Sequence, residues 1–448
     1  MKVFPLLLRA TAITAVLVAG ASVAQAKDVT IAVWAGGTGP NDTYRLDAIE
    51  MAAGIYEREA AIRGDDIKIT VQKTPYANWD DFKQALTLSA EAGTAPNIVV
   101  SGHEDIAPWS QSGLIVPIED YVDLEGWPLN VIYPNLMKIA SYGGVVYGIP
   151  QDAESRPFFF WKPYMKAIGY SDADLDALPQ MVQDGKYTLA NVLIDSKKMV
   201  DQGLVQPGYG FYPRQSNGPD FWQFYTSFGG TMEENGKLVF DKAAMRRFYQ
   251  FFSDAVAEGV TKKNHIGTPG DQWYAEVASG KAGIWHGGTW HYARYVNQEG
   301  LKDFFGTIAF TLIPAGEGGK PNTLTHPLVY LLTSGHDEES TQIAAQLIKI
   351  ASDPQINVLH AIKSAHLGIS PEEATLDLYR SNQWASEATE RLLPFATAMP
   401  NNSDFGTYWT IMWKNLEASW TGTKTVDAAV NDAEAELKST LGDAIIIR

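Results

Sequence analysis

The sequence contains no cysteine. That absence excludes thiolate catalysis, iron–sulfur clusters, thiolate zinc sites and disulfide scaffolds together, and it leaves no residue for lipid attachment through sulfur. Basic residues are scarce as well: 35 Lys and Arg stand against 52 Asp and Glu, a net charge of −17. A chain this acidic lacks the electrostatic footprint of a nucleic-acid binder or of a protein resting on an anionic membrane, so neither partner is expected. Enzyme signatures are also missing. There is no G-x-S-x-G elbow, no H-E-x-x-H zinc helix and no G-x-x-x-x-G-K-[ST] phosphate loop. What the chain does have is length, apolar content and aromatic rings. Its 448 residues are 45% hydrophobic and 19% charged, which suits a globular protein of two or three lobes at roughly 150 residues each. Thirteen Trp and 20 Tyr are more aromatic surface than packing alone asks for.

The first residues read as a targeting segment. Lys2 and Arg9 give a positive start, Ala10 to Val23 is almost wholly apolar, and Ala24-Gln25-Ala26 is a small-x-small cleavage site. This layout predicts a cleaved secretory signal peptide over 1–26 and places the mature chain in the periplasm. No later run reaches the ~20 apolar residues of a spanning helix, so no membrane insertion is expected after cleavage.

The mature chain opens with alternating strand and helix. Val29 to Trp34 is a β-branched apolar run that ends in the loop Ala35 to Pro40. A helix capped by Asn41 or Asp42 is predicted through Arg63, a strand over Ile67 to Gln72, a helix over Trp79 to Ala92, and a strand over Ile98 to Val100. Strands separated by helices imply parallel crossovers and an α/β lobe. Ligands in such sheets bind at the carboxyl ends of the strands, which points to three loops: Trp34 to Thr38, Thr74 to Trp79, and Ser101 to Asp105. After Pro150 the pattern turns aromatic and helix-rich. Phe158 to Trp161 suits a strand passing between lobes, and Gly306 to Ile313 with Leu328 to Leu332 suit strands that leave a second lobe and return to the first.

His286 and His291 flank a Gly-Gly-Thr-Trp turn, a spacing that does not align two imidazoles on a helix, and no carboxylate completes a set; no metal and no cofactor are expected. Glu104, Asp105, Asp152 and Glu154 could form a glycosidase-like pair, although loop carboxylates are usually solvated. Trp409, Trp413 and Trp420 recur at helical spacing and read as core. Trp290 differs, because it follows Gly-Gly-Thr at a strand-to-helix turn, where an indole can stack on the apolar face of a sugar ring.

Several of these segments, taken in order, resemble the extracellular solute-binding proteins of bacterial ABC importers, specifically the saccharide-binding group related to maltose-binding protein. Ala92 to Val99 is similar to the entry into the third strand of that family, Gln111 to Ile118 to its "G-l-l-x-p-l" turn, and Tyr142 to Pro150 to "y-x-G-k-x-Y-G-i-P". Glu276 to Ile284 with Gly288-Thr289-Trp290 resembles "F-x-x-G-k-a-a-m … G-x-W". One departure is Phe160-Trp161-Lys162, where relatives commonly carry a Tyr-Asn pair. The resemblance implies an α/β, two-lobed periplasmic binding protein (type II), with the ligand cleft between lobes joined by crossing hinge strands. Lobe 1 is expected over 27–155 plus 320–370, and lobe 2 over 156–319 plus 371–448. The expected ligand-binding residues are Trp34, Gly37, Thr38, Glu104, Asp105, Asp152, Glu154, Arg156, Trp222, Trp290, His326 and Asn402. The expected partners are a saccharide and the permease subunits of an ABC importer, with the protein itself a monomer. Arg156, Arg214 and His326 leave open a ligand bearing an acidic group. The alternatives are a secreted glycoside hydrolase using Glu104 or Asp152 as acid, and a ligand sensor that docks a membrane receptor.

Overall fold

The structure is a computed structural model that describes residues 27–38 and 42–448. The predicted signal peptide lies outside the described residues, as does Asn41. The opening alternation of strand and helix builds one mixed sheet. Its strands are Lys27–Ala35, Ile67–Pro75, Ile98–Gly102, Ile115–Val116, Gly148–Pro150 and Leu328–Thr333. Lys27–Ala35 lies parallel between Ile67–Pro75 and Ile98–Gly102. Leu328–Thr333, arriving from far along the chain, runs antiparallel to Ile98–Gly102 and to Gly148–Pro150. Ile98–Gly102 and Leu328–Thr333 are buried along their whole length, as expected for strands covered on both faces.

The first helix is Asp47–Arg63, four residues later than a cap at Asp42 would start it. Asp42 instead accepts the Tyr44 N–H at 3.2 Å, an Asx turn that uses up the capping oxygen before the helix begins. The second helix, Trp79–Glu91, follows the sequence closely: Asn78 accepts the N–H groups of Asp80 and Asp81, and Gly93 leaves it at φ +68°.

A second sheet forms around Phe158–Trp161, which pairs antiparallel with Ile284–His286 on one side and Ile308–Thr311 on the other. This strand is the centre of the second lobe rather than a crossing strand, and Phe158, Phe159 and Phe160 are fully buried. Three further helices, Lys242–Ala257, Phe405–Trp420 and Val426–Leu441, pack together beside it. The Trp409, Trp413 and Trp420 stripe is buried there as core.

Three stretches cross between the lobes. Residues 151–156 run directly from one sheet to the other, and the strands Thr323–Thr325 and Ala396–Ala398 pair in parallel beside them. Thr323 stitches two of these together: its hydroxyl accepts the Arg156 N–H at 2.8 Å and lies 3.1 Å from the Arg156 carbonyl. Among the described residues, no helix is long and apolar enough to cross a membrane.

A loop after the helix Pro354–Ser364 docks on the first crossing stretch through Leu367, whose N–H donates to the Ala153 carbonyl at 2.6 Å. Glu373 anchors this loop. It is fully buried and accepts the Ile369 N–H at 2.9 Å, while its Oε2 has no partner. Burial pushes its carboxyl up to about 8. A folded pKa above the ordinary value means that this group's stabilising contribution is complete below about pH 4.5 and is lost as pH rises through 8. Glu373→Gln keeps the acceptor and removes the titration. Thermal unfolding of the variant should match the wild type at pH 4.5 and exceed it at pH 8, by on the order of 4 kcal/mol.

Candidate functional site

The loops at the carboxyl ends of the first sheet's strands meet the crossing stretches in a buried charged cluster. Gly102 ends its strand and leads into His103, Glu104 and Asp105. The carboxylate of Glu104 folds back over Gly102, so a Cβ there would push it aside. Glu104 Oε2 lies 2.7 Å from His326 Nε2, and the other ring nitrogen of His326 lies 3.2 Å from Glu154 Oε1. Glu154 also accepts Arg156 Nη2 at 2.9 Å, and Arg156 Nε lies 3.2 Å from Asp220 on the second lobe. Asp220 in turn meets Arg214 Nε at 3.7 Å. The guanidinium of Arg156 sits 4.4 Å above the Trp290 ring, and His366 stacks on the same indole at 5.9 Å with planes 17° apart. Trp290 N-caps the short helix His291–Ala293, and its Nε1 donates to Tyr274 Oη at 3.1 Å, which fixes the ring plane.

Burial in this cluster works against charge, and pairing restores it. Burial opposes a charged His326, yet Glu104 and Glu154 raise its pKa to about 10, so it is an imidazolium at neutral pH. Glu154 is buried too, but Arg156, His326 and His366 hold its carboxyl well below the usual range. Glu104 is likewise held low by His326 and Lys83. Asp105 goes the other way: burial and the neighbouring Glu104 push it up to about 6, although Lys83 and Ser101 both donate to it. A second buried knot joins the cluster from the first lobe. Asp152 accepts the Leu328 N–H, pairs with His360 at 3.0 Å and lies 3.5 Å from Arg45. Burial would raise its carboxyl, and His366, His360 and Arg45 lower it.

The structure brings Glu104, Asp105, Asp152, Glu154, Arg156, Trp290 and His326 of the expected set together. Trp34, Gly37 and Thr38 lie together at a neighbouring edge of the first sheet. Trp34 packs on Tyr76, Gly37 takes φ +68° with the Trp79 indole where a Cβ would be, and Thr38 is buried with its hydroxyl unpaired. Two residues are elsewhere. Trp222 is fully buried in an aromatic stack with Phe405, Tyr408 and Trp409, so its ring serves packing. Asn402 donates to the Gly236 carbonyl and accepts the Asp404 N–H, which ties down its own loop. Trp222→Phe should therefore leave ligand affinity unchanged in a titration while lowering stability by about 1–2 kcal/mol. His286 and His291 are buried among aromatic rings near Arg214. Burial first, and Arg214 next, keep both neutral.

Sequence reasoning missed Lys83, Arg45, His360, His366 and Asp220. Four of these come from helices or loops remote from any strand end; Asp220 stands two residues from the over-read Trp222.

A groove of about 940 Å³ lies away from this cluster. It runs between residues 135–141 and 226–233, walled by Thr325, Thr397 and Met399 of the crossing region. Successive side chains of an extended stretch point to opposite faces. Thr325 accordingly faces the groove while His326 faces the charged cluster. Among the described residues, no aromatic ring lines the groove.

The profile of the bacterial extracellular solute-binding protein family matches residues 60–357. A putative binding protein of Brucella abortus (strain 2308) is 22% identical over 376 residues, covering 81% of this chain and 84% of that protein. Among solved structures, maltose-bound MalE3 of T. maritima superposes with a TM-score of 0.73 at 18% identity, covering 92% of this chain and 99% of that one. The GacH receptor of Streptomyces glaucescens gives a TM-score of 0.72 at 14% identity, covering 94% and 100%. An ABC transporter solute-binding protein of Thermotoga lettingae bound with α-D-tagatose gives 0.72 at 17%, covering 92% and 100%. With two α/β lobes, crossing strands between them and a family profile spanning most of its length, this chain belongs to the bacterial extracellular solute-binding proteins.

Proposed function

We propose that this protein captures a neutral saccharide between its lobes and delivers it to an ABC importer. The observation that carries the reading is a group of buried polar atoms with no protein partner around Trp290: Ser155 Oγ, Arg156 Nη1, Thr289 Oγ1 and His366 Nδ1. The Thr289 N–H donates to the Ser155 carbonyl at 3.0 Å, so these residues face one another across the crossing stretch. An unpaired buried donor or acceptor costs about 1–3 kcal/mol. A polyhydroxylated ring supplies donors and acceptors together, and its apolar face suits the indole. Neutral ligands are favoured over acidic ones because each candidate cation already has carboxylates: Glu154 and Asp220 for Arg156, Asp220 for Arg214, Glu104 and Glu154 for His326.

A hydrolase reading is disfavoured by the same electrostatics. Glu104 and Asp152, the candidate acids, are both held below the ordinary carboxylate range, so neither carries a proton to donate at neutral pH. Capture by hinge closure needs a ligand that binds the closed form more tightly than the open one, and contacts from both lobes supply that difference. We assign 27–155 plus 320–370 to lobe 1 and 156–319 plus 371–448 to lobe 2. In support, the helix Glu338–Ala351 packs on Asp47–Arg63, and Phe405–Trp420 packs on Lys242–Ala257. Periplasmic residence, a permease partner and a monomeric state complete the proposal.

Titrating intrinsic tryptophan fluorescence with neutral and acidic mono-, di- and trisaccharides tests it. A saturable change with a neutral sugar, and no product from a chromogenic glycoside, is expected. Sustained release of product, lost in Glu104→Gln or Asp152→Asn, would establish the hydrolase instead.

A further inference from the structure

Beside the proposed sugar site, three ligand-type atoms converge on one point. His103, Glu104 and His326 each offer an atom lying within 4.8 Å of the other two. His103 Nδ1 is buried with no hydrogen-bond partner, while Glu104 Oε2 and His326 Nε2, equally buried, meet each other at 2.7 Å. The outer nitrogens of both histidines are occupied in the sense a metal site requires. His103 Nε2 lies 3.2 Å from the Met399 carbonyl, an acceptor only, so that nitrogen carries the proton and Nδ1 presents its lone pair inward. His326 Nδ1 lies 3.2 Å from Glu154 Oε1, so it donates there and leaves Nε2 to face Glu104. A carboxylate or carbonyl behind each ligating imidazole is the usual outer support of a metal site. The two rings stand 4.9 Å apart, edge to face. Lys83 approaches the other oxygen of Glu104, at 3.6 Å, and is itself held by Asp105 at 2.7 Å, leaving Oε2 turned to the histidines.

We propose that His103, His326 and Glu104 form a binding site for a divalent transition-metal ion of the zinc type, set in the cleft wall of the first lobe. Two imidazoles and one carboxylate are the donor set that zinc accepts with a coordination position left open, and nitrogen donors select against calcium and magnesium. The environment that favours a positive charge on His326 favours a cation at its Nε2 for the same reason: Glu104 and Glu154 flank it. The ion takes the place of the Nε2 proton, which is released to solvent on binding. The other buried cluster, Asp152 with His360 and His366, is less suited, because the Arg45 guanidinium already stands 3.5 Å from the carboxylate.

The test is calorimetric titration of the chelator-treated mature protein with Zn2+ and with Ca2+, in the absence of sugar. One zinc per chain, no response to calcium and release of protons to the buffer are expected. Glu104→Gln, which preserves shape, should weaken zinc at least tenfold, and the supporting Glu154→Gln by roughly 10–100-fold. His336→Ala, a histidine on a different loop bonded to the Pro96 carbonyl, should bind as the wild type does. No saturable zinc binding, or equal binding by Glu104→Gln with its circular dichroism intact, overturns the site and leaves His326 as an imidazolium held between two carboxylates. Sugar titration is read separately, so either outcome leaves the saccharide proposal to its own test.

Discussion

Replacing Arg156 with Met should destabilise the folded protein by about 3–5 kcal/mol at neutral pH, the effect expected when one partner of a buried ion pair is removed. Arg156 is 3% exposed and stands between Glu154 on its own crossing stretch and Asp220 on the second lobe. Methionine retains much of the unbranched stem and deletes the guanidinium. Glu154 then loses the neighbour that does most to offset its burial, and Asp220 keeps only the more distant Arg214. The sign of the pH dependence follows from Glu154. Its folded pKa is depressed, so the stability that it contributes is present above the ordinary value of 4.5 and is lost as pH falls through its folded pKa. The difference between wild type and Arg156→Met should be largest at pH 7 and shrink toward pH 4. Urea denaturation at both values measures it; a difference that does not change with pH would mean that the guanidinium acts through packing on Trp290 and not through charge.

Trp290→Ala should weaken sugar binding by about 2–3 kcal/mol, or roughly 30–150-fold, the range of a central aromatic anchor. The indole is positioned by three independent devices. Its Nε1 is bonded to Tyr274, its face carries Arg156, and Gly288 leaves room where any Cβ would run into the ring. In the proposed site a sugar would share this face with the guanidinium, and Arg156 would turn from ring partner to hydroxyl donor as the ligand enters. Trp290→Phe should recover part of the affinity by keeping an aromatic surface while losing the Tyr274 bond. Calorimetric titration of the wild type and both variants reads the series, and an unchanged affinity in Trp290→Ala would remove stacking from the account.

The sequence exposes one half of this site far better than the other, for reasons visible in the residues. The early strands are β-branched runs closed by glycine-rich loops, so their ends, and hence Trp34, Glu104 and Asp105, follow from local pattern and from where α/β sheets bind ligands. Trp290 is legible because Gly-Gly-Thr sets it at a turn. Lys83 sits on a helix face that reads as ordinary surface, yet that face points into the loop of Glu104 and Asp105. His360 and His366 reach Asp152 and Glu154 because Pro354–Ser364 and the loop after it dock on the first crossing stretch, and Arg45 reaches Asp152 from the turn before Asp47–Arg63; these are long-range contacts that no local signal announces. Trp222 shows the opposite error. An indole among aromatics can serve packing or ligand with the same local sequence, and here the helix Phe405–Trp420, nearly two hundred positions away, claims it for the core. Asp42 makes the same point at short range, spending its capping oxygen on a turn before the helix starts.

The proposed ligand site is the buried cluster and not the groove behind the crossing strands. A crystal structure of the mature protein with the tightest-binding sugar from the fluorescence panel tests that most directly. The expected result is a sugar ring against the Trp290 indole, with hydroxyls within hydrogen-bond distance of Arg156, Ser155 and Thr289. Sugar density in the groove lined by Lys138, Thr226 and Thr397, with the Trp290 face still held by Arg156 alone, would contradict it.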